Sequence, residues 1–276
     1  MRHAVIAFID ARTIRAIGKH SRYADALRDV PRDLLSFWRK TAPAGFPGTP
    51  VPARFYARAL EALLMFFDCA SRSAWPCGLP SRAADSVWHA WMQMDHDNLN
   101  RFCRRHFGRT IPHVESGDMD GRMGNALGAC LVEARKRDFQ RPAAPSLPRL
   151  FTIDRELRMP LGFGYTIEHG MVAWSTLDEA GLPHGPIHYP DHLSPNGLFD
   201  AGLISESEYD LGSVLAARYR ERPADQSGGA CAASVPDTGA GHAAACTDSS
   251  SAGDTGAAGD GGSCGASCGG GCGGGD

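Results

Sequence analysis

The chain has 276 residues with 28 basic and 31 acidic side chains, a formal net charge of −3, and the imbalance lies at one end: residues 223–276 hold six aspartates and no glutamate, lysine or arginine. What precedes them is only weakly basic, without the clustered Lys/Arg stripe of a dedicated nucleic-acid binder, so no nucleic-acid partner is expected. No apolar run approaches the roughly 18–20 residues of a membrane span, and no membrane partner is expected either.

Ala4-Val5-Ile6-Ala7-Phe8-Ile9 is apolar for six residues before Asp10 and Arg12 interrupt it, which is too short for a secretory apolar segment. A cytoplasmic location follows as the expectation, with cysteines present as thiols or metal ligands rather than bridges. Residues 1–40 read as helical, with Ile6, Ile9, Ile14 and Ile17 spaced among charged residues and a second run from Asp33 to Trp38 beyond Pro31. Pro43, Pro47, Pro50 and Pro52 mark a loop. Residues 53–70 are the most helix-like stretch, with Phe55, Ala59, Leu60, Leu63, Leu64, Phe66 and Phe67 on one broad face. Ser81 is placed to cap a helix running through Trp88 and Trp91, and further helices are predicted near 97–107 and 120–138.

The pattern changes between 141 and 197, a proline-rich stretch in which only 161–176 has strand character. Tyr165-Thr166-Ile167 and Met171-Val172-Ala173-Trp174, joined through His169-Gly170, predict one short hairpin. Ser205-Glu206-Ser207-Glu208 forms a capping box ahead of a last helix through Tyr209, Leu211, Val214 and Leu215. The expected fold is mainly α, an irregular bundle of six or seven helices with at most one short β-hairpin. Residues 1–222 form the helical globular domain and 223–276 a low-complexity Gly/Ala/Ser/Cys tail, expected to be disordered because its apolar content is mostly alanine.

One constellation carries chemistry. Asp85, His89, His96 and Cys103 are spaced by four, seven and seven, so on one continuous helix all would share a face. Asp, His and Cys suit zinc, and His113 follows closely in sequence. Ligands seven residues apart are nevertheless separated by about 10 Å along a helix axis, so His89 and His96 meet one ion only if the chain turns at Asp95–Asn98. The structural alternative stands beside this: Trp88, Trp91, Phe102 and Phe107 as core anchors, Asp85 and His89 as an i, i+4 pair, and Cys103 as a buried thiol.

The same segment, Asp85-x-x-Trp88-His89, then Phe102-Cys103, then Phe107-Gly108 and His113, resembles the signature of the glycine-rich domain-containing protein family. Leu147-Pro148-Arg149-Leu150-Phe151 with Asp154 and Leu157, and the Cys-Gly repeats at Cys264, Cys268 and Cys272, are similar to further blocks of its bacterial members. Leu99 stands where a tyrosine is expected, and Ala90-Trp91 replace the residues usual after Trp-His. The resemblance implies no enzymatic chemistry, and hence no catalytic residues.

Cys264, Cys268 and Cys272 step by four in a glycine-rich chain. They are adventitious thiols, a site that wraps Zn²⁺ or Cu⁺ with Cys246 or His242 as a fourth ligand, or targets of Cys/Ser heterocyclisation. His184, His188 and His192 also step by four, but Pro183, Pro186 and Pro190 forbid a helix there, and loop histidines are expected. Glu133 and Asp138 alternate with Arg135, Lys136 and Arg137 as a solvated face. Two functions follow: a non-catalytic interaction or scaffold protein with an unidentified protein partner, or a Zn- or Cu-binding protein using Asp85, His89, Cys103 and His113 or the tail cysteines. A hydrolytic or redox enzyme built on the same cluster is the third.

Overall fold

The computed structural model describes residues 2–113, 123–139, 141 and 145–220. The tail, with Cys264, Cys268 and Cys272, and the boundary expected at 222/223 lie outside the described residues. Among these residues the chain forms α1 (Arg2–Gly18), α2 (Ala24–Asp29), α3 (Leu34–Gly45), α4 (Ala53–Arg72), α5 (Arg82–Phe107), α6 (Met123–Phe139) and α7 (Arg149–Leu157). Three strands follow, β1 (Phe163–Glu168), β2 (Met171–Leu177) and β3 (Pro183–His188), then a 3-10 turn (Asp191–Leu193), α8 (Pro195–Asp200) and α9 (Glu206–Arg220).

The helix expected over 53–70 is the centre of the core. Ala59, Leu60, Ala62, Leu63, Leu64 and Phe67 of α4 are essentially inaccessible, so the helix is buried on most of its circumference. It packs against α1, α5, α6 and α7. Its acidic groups are therefore paired. Glu61 accepts from Arg58 at 2.9 Å and Arg149 at 3.3 Å, and Asp68 accepts from Tyr23 at 3.1 Å and Arg72 at 2.8 Å. Arg137 of α6 also pairs with Asp68 and lies 4.9 Å over the Tyr23 ring, while Arg135 is buried with its Nε donating to the Ser146 carbonyl at 3.0 Å. The basic residues of α6 thus depart from the solvated face expected of them. The Lys136–Glu133 pair, at 3.0 Å, and Asp138, exposed and 3.7 Å from Arg22, keep that character.

The expectation of at most one hairpin, and of six or seven helices, is corrected by the structure. There are nine α-helices among the described residues and a three-stranded antiparallel sheet in the order β1-β2-β3. The first two strands are the expected hairpin, with Tyr165 opposite Trp174. Its two-residue turn uses His169 and Gly170, both at positive φ (50° and 77°), which matches the twist of the flanking strands. The third strand contains Pro183 and Pro186, residues that argue against a strand. It forms because it is an edge and because its register shifts. Thr176 faces His184 but Trp174 faces His188, so Gly185 at φ 78° and Pro186 sit in a bulge.

The capping box before α9 is reciprocal, with Ser205 N–H donating to Glu208 at 2.8 Å and Glu208 N–H to the Ser205 hydroxyl at 3.4 Å.

Candidate metal centre on the first half of the tryptophan-rich helix

The start of α5 is fixed from a distance. Ser81 caps it, its hydroxyl accepting from Ala84 N–H at 3.1 Å while donating to Asp154 at 2.7 Å. Asp154 of α7, 1% exposed, also accepts from the backbone N–H groups of Arg82 at 2.9 Å, Ala83 at 3.0 Å and Phe163 at 3.1 Å. One carboxylate therefore joins α5, α7 and β1, at the helix end whose unsatisfied N–H groups favour negative charge. Gly162 is required beside it, since a Cβ there would lie 2.8 Å from Asp154 Oδ2.

From this anchored end, Asp85 and His89 project from successive turns of α5. Trp88 and Trp91 of the same stretch face the core and are buried, Trp88 against Phe66 and Phe67 at ring distances of 5.2 and 5.3 Å. The helix then breaks at Asp95, whose φ of −163° and ψ of 89° are not helical. The Asp95 carboxylate accepts from Asn98 N–H at 2.8 Å and so caps the second half. The break turns the chain back, so that Trp91 meets Phe102 at 4.7 Å and its indole N–H donates to Asn98 at 3.2 Å.

After Gly108 closes α5 in the left-handed conformation (φ 78°), the loop 108–113 returns along the helix. Buried Cys103 receives a hydrogen bond from Ile111 N–H, which ties the loop to the second half of α5. The loop delivers His113 to Asp85. The His113 Nε2–Asp85 Oδ1 distance is 3.3 Å and the His89 Nε2–Asp85 Oδ1 distance 3.6 Å. The imidazoles of His89 and His113 meet edge to face at 4.6 Å. One ligand atom from each of Asp85, His89 and His113 lies within 4.8 Å of the other two.

Aromatic groups hold both rings: Phe46 lies 5.6 Å from His89 and Trp88 lies 4.6 Å from His113. The side chains of Asp85, His89 and His113 are 32%, 34% and 16% exposed, so the centre is walled on one side and open on the other. A groove of about 630 Å³ adjoins it, lined by His113, His96, Asn100 and Met92 among others.

The sequence-derived set is therefore divided. Asp85, His89 and His113 come together. Cys103 does not join them. Burial pushes its thiol up to about 12, which keeps it protonated and a poor ligand, and its place is that of a loop anchor. His96 reaches the groove, exposed and 3.4 Å from Asn100, rather than the cluster. His184 and His188 are exposed on β3, with His188 stacked on Trp174 at 4.9 Å, whereas the His192 ring packs against Gly124. Among the described residues only Asp85, His89 and His113 form a group able to hold a metal ion.

Two features escaped the sequence. The role of Asp154 depends on partners 71 to 73 residues away. The gathering of Cys69, Cys77 and Cys130 has no motif spacing at all.

A family model described as UCP032817-like matches residues 56–180, just under half of the chain, a span that includes all three cluster residues and Asp154. No curated protein and no solved structure matches. No helix among the described residues is long and apolar enough to cross a membrane.

Proposed function

We propose that this protein binds a transition-metal ion, zinc above others, at Asp85, His89 and His113. The observation that supports this reading most directly is the approach of two imidazole nitrogens to one carboxylate oxygen at 3.3 and 3.6 Å. Ligands about 2.0–2.2 Å from a tetrahedral ion lie roughly 3.3–3.6 Å from one another, so these side chains need little rearrangement to share one. Two imidazoles and a carboxylate are borderline donors that suit Zn²⁺, whereas Cu⁺ prefers thiolates and would favour the tail cysteines. Three protein ligands leave a fourth position on the exposed side of the cluster. The glycine-rich domain resemblance rests on its motif residues, three of which, Asp85, His89 and His113, are these ligands. With Cys69, Cys77, Cys103 and Cys130 free, we place the protein in the cytoplasm.

The test is metal content of the full chain after zinc loading and desalting, compared among wild type, His89→Ala, His113→Ala and a tail variant carrying Cys264→Ser, Cys268→Ser and Cys272→Ser. Tight zinc retained by the tail variant and lost from both histidine variants is the expected result. Zinc lost with the tail cysteines and kept by the histidine variants rejects the centre.

The interaction-protein reading has its own support. Leu182, Ile187 and Tyr189, on and beside the edge strand β3, are large apolar residues left about half exposed, a feature of protein-binding surfaces. A metal centre and a partner surface on different elements are compatible.

A further inference from the structure

The end of α4, the turn that follows it and the middle of α6 bring three thiols together. Cys69 lies on the last turns of α4 and is buried. The helix stops at Ser73, whose N–H donates to the Cys69 carbonyl at 3.0 Å and whose hydroxyl accepts from Trp75 N–H at 3.0 Å. The turn then places the Cys77 sulfur 3.9 Å from the Trp75 carbonyl, and Gly78 N–H donates to the Ala126 carbonyl of α6 at 2.9 Å. Cys130 sits one helical turn beyond Ala126 on the same side of α6, fully buried, with Cys69 and Cys77 as the neighbouring thiols that act on it. The 73–78 turn thus sets a partly buried thiol beside α6, one helical turn from a fully buried one.

We propose that Cys77 and Cys130 are a peroxide-responsive pair that closes to a reversible disulfide, Cys77 being the attacking sulfur and Cys130 the resolving one. The Cys77 thiolate attacks one oxygen of hydrogen peroxide; the S–O bond forms as the O–O bond breaks, and the departing hydroxide takes a proton to become water. The Cys130 sulfur then attacks the Cys77 sulfur, the S–O bond breaks, and the hydroxide leaves with the Cys130 proton as a second water. The two sulfurs together lose two electrons and the peroxide gains them. A thiol reductant restores the pair by exchange.

The division of roles follows from the surroundings. Cys77 is reachable from solvent and its thiolate is favoured: hydrogen bonding from Cys130, first, and then from Ser73 lowers its pKa against the opposing effect of burial. Cys130 is held well above the usual thiol range, chiefly by burial, and is closed off from solvent, which suits it to the second step rather than the first. Cys103, elsewhere in the fold and buried, has no such partner sulfur among the described residues and serves as an internal reference.

The experiment treats full-length protein with hydrogen peroxide, blocks free thiols with iodoacetamide and maps unreduced peptides by mass spectrometry. A Cys77–Cys130 link that forms before any other body cysteine reacts, and that dithiothreitol reverses, is expected. Before peroxide, Cys77 should alkylate at least about tenfold faster than Cys103. Cys130→Ser should leave a Cys77 sulfenic acid that dimedone captures. A serine in a fully buried site can unfold the chain, so Cys77→Ser, at a partly buried loop position, carries the test independently: Cys130 should then keep its thiol under the same treatment. Cys130 oxidised as fast in Cys77→Ser as in wild type, or Cys77 linked first to a tail cysteine, overturns the proposal.

Discussion

Two aspartates lie within a few ångströms of the same stretch of α5, and they have opposite fates. Asp154 is buried and its two oxygens accept four hydrogen bonds, from Ser81, Arg82, Ala83 and Phe163. Asp85 is a third exposed, and one of its oxygens faces two imidazoles. A carboxylate whose acceptor positions are all taken by the fold holds elements together and has nothing left for a ligand. One that meets only titratable, ligand-type groups and keeps access to solvent is available for a cation. The contrast separates a structural carboxylate from a functional one more sharply than residue type does.

Replacing each carboxylate tests that contrast. Asp154→Ala strands a hydroxyl and three backbone N–H groups in the interior and should cost about 3–5 kcal/mol in urea unfolding, enough to leave a marginal fold. Gly162→Ala crowds the same carboxylate and, 3.0 Å away, the Met159 carbonyl; a loss of about 1–3 kcal/mol in the same measurement is expected. Asp85→Ala should change the metal-free unfolding midpoint by less than about 1 kcal/mol, the scale of a solvent-exposed pair. Zinc should then raise the thermal midpoint of wild type but not of Asp85→Ala, because only a folded state with an intact site gains from the ion. If Asp85→Ala unfolds the protein as Asp154→Ala does, the two carboxylates do the same job and the distinction is lost.

What could be read from the sequence was local. The long apolar face of α4, Ser81 as a cap, the His169-Gly170 turn and the Ser205–Glu208 box each state their geometry within a few residues, and each is found. Asp85 with His89 was legible because four residues make a helical turn. The third strand was not, because Pro183, Gly185 and Pro186 speak against regular pairing and only an edge position with a bulge accommodates them. Helical phase also proposed Cys103, but the break at Asp95 cancels that phase, and burial turns its thiol into an anchor for the loop bearing His113. Asp154 and the thiol trio depend on contacts between distant segments, which no window of sequence displays.

That break has one more effect. Because Asp95 leaves helical geometry, rotational phase is not transmitted from Met94 to His96, and the two rods on either side are indexed separately. An added residue at this joint can be absorbed by the bend while Asp85 and His89 keep their mutual alignment. The same addition between Asp85 and His89 would swing the imidazole by about 100° and take it off the carboxylate.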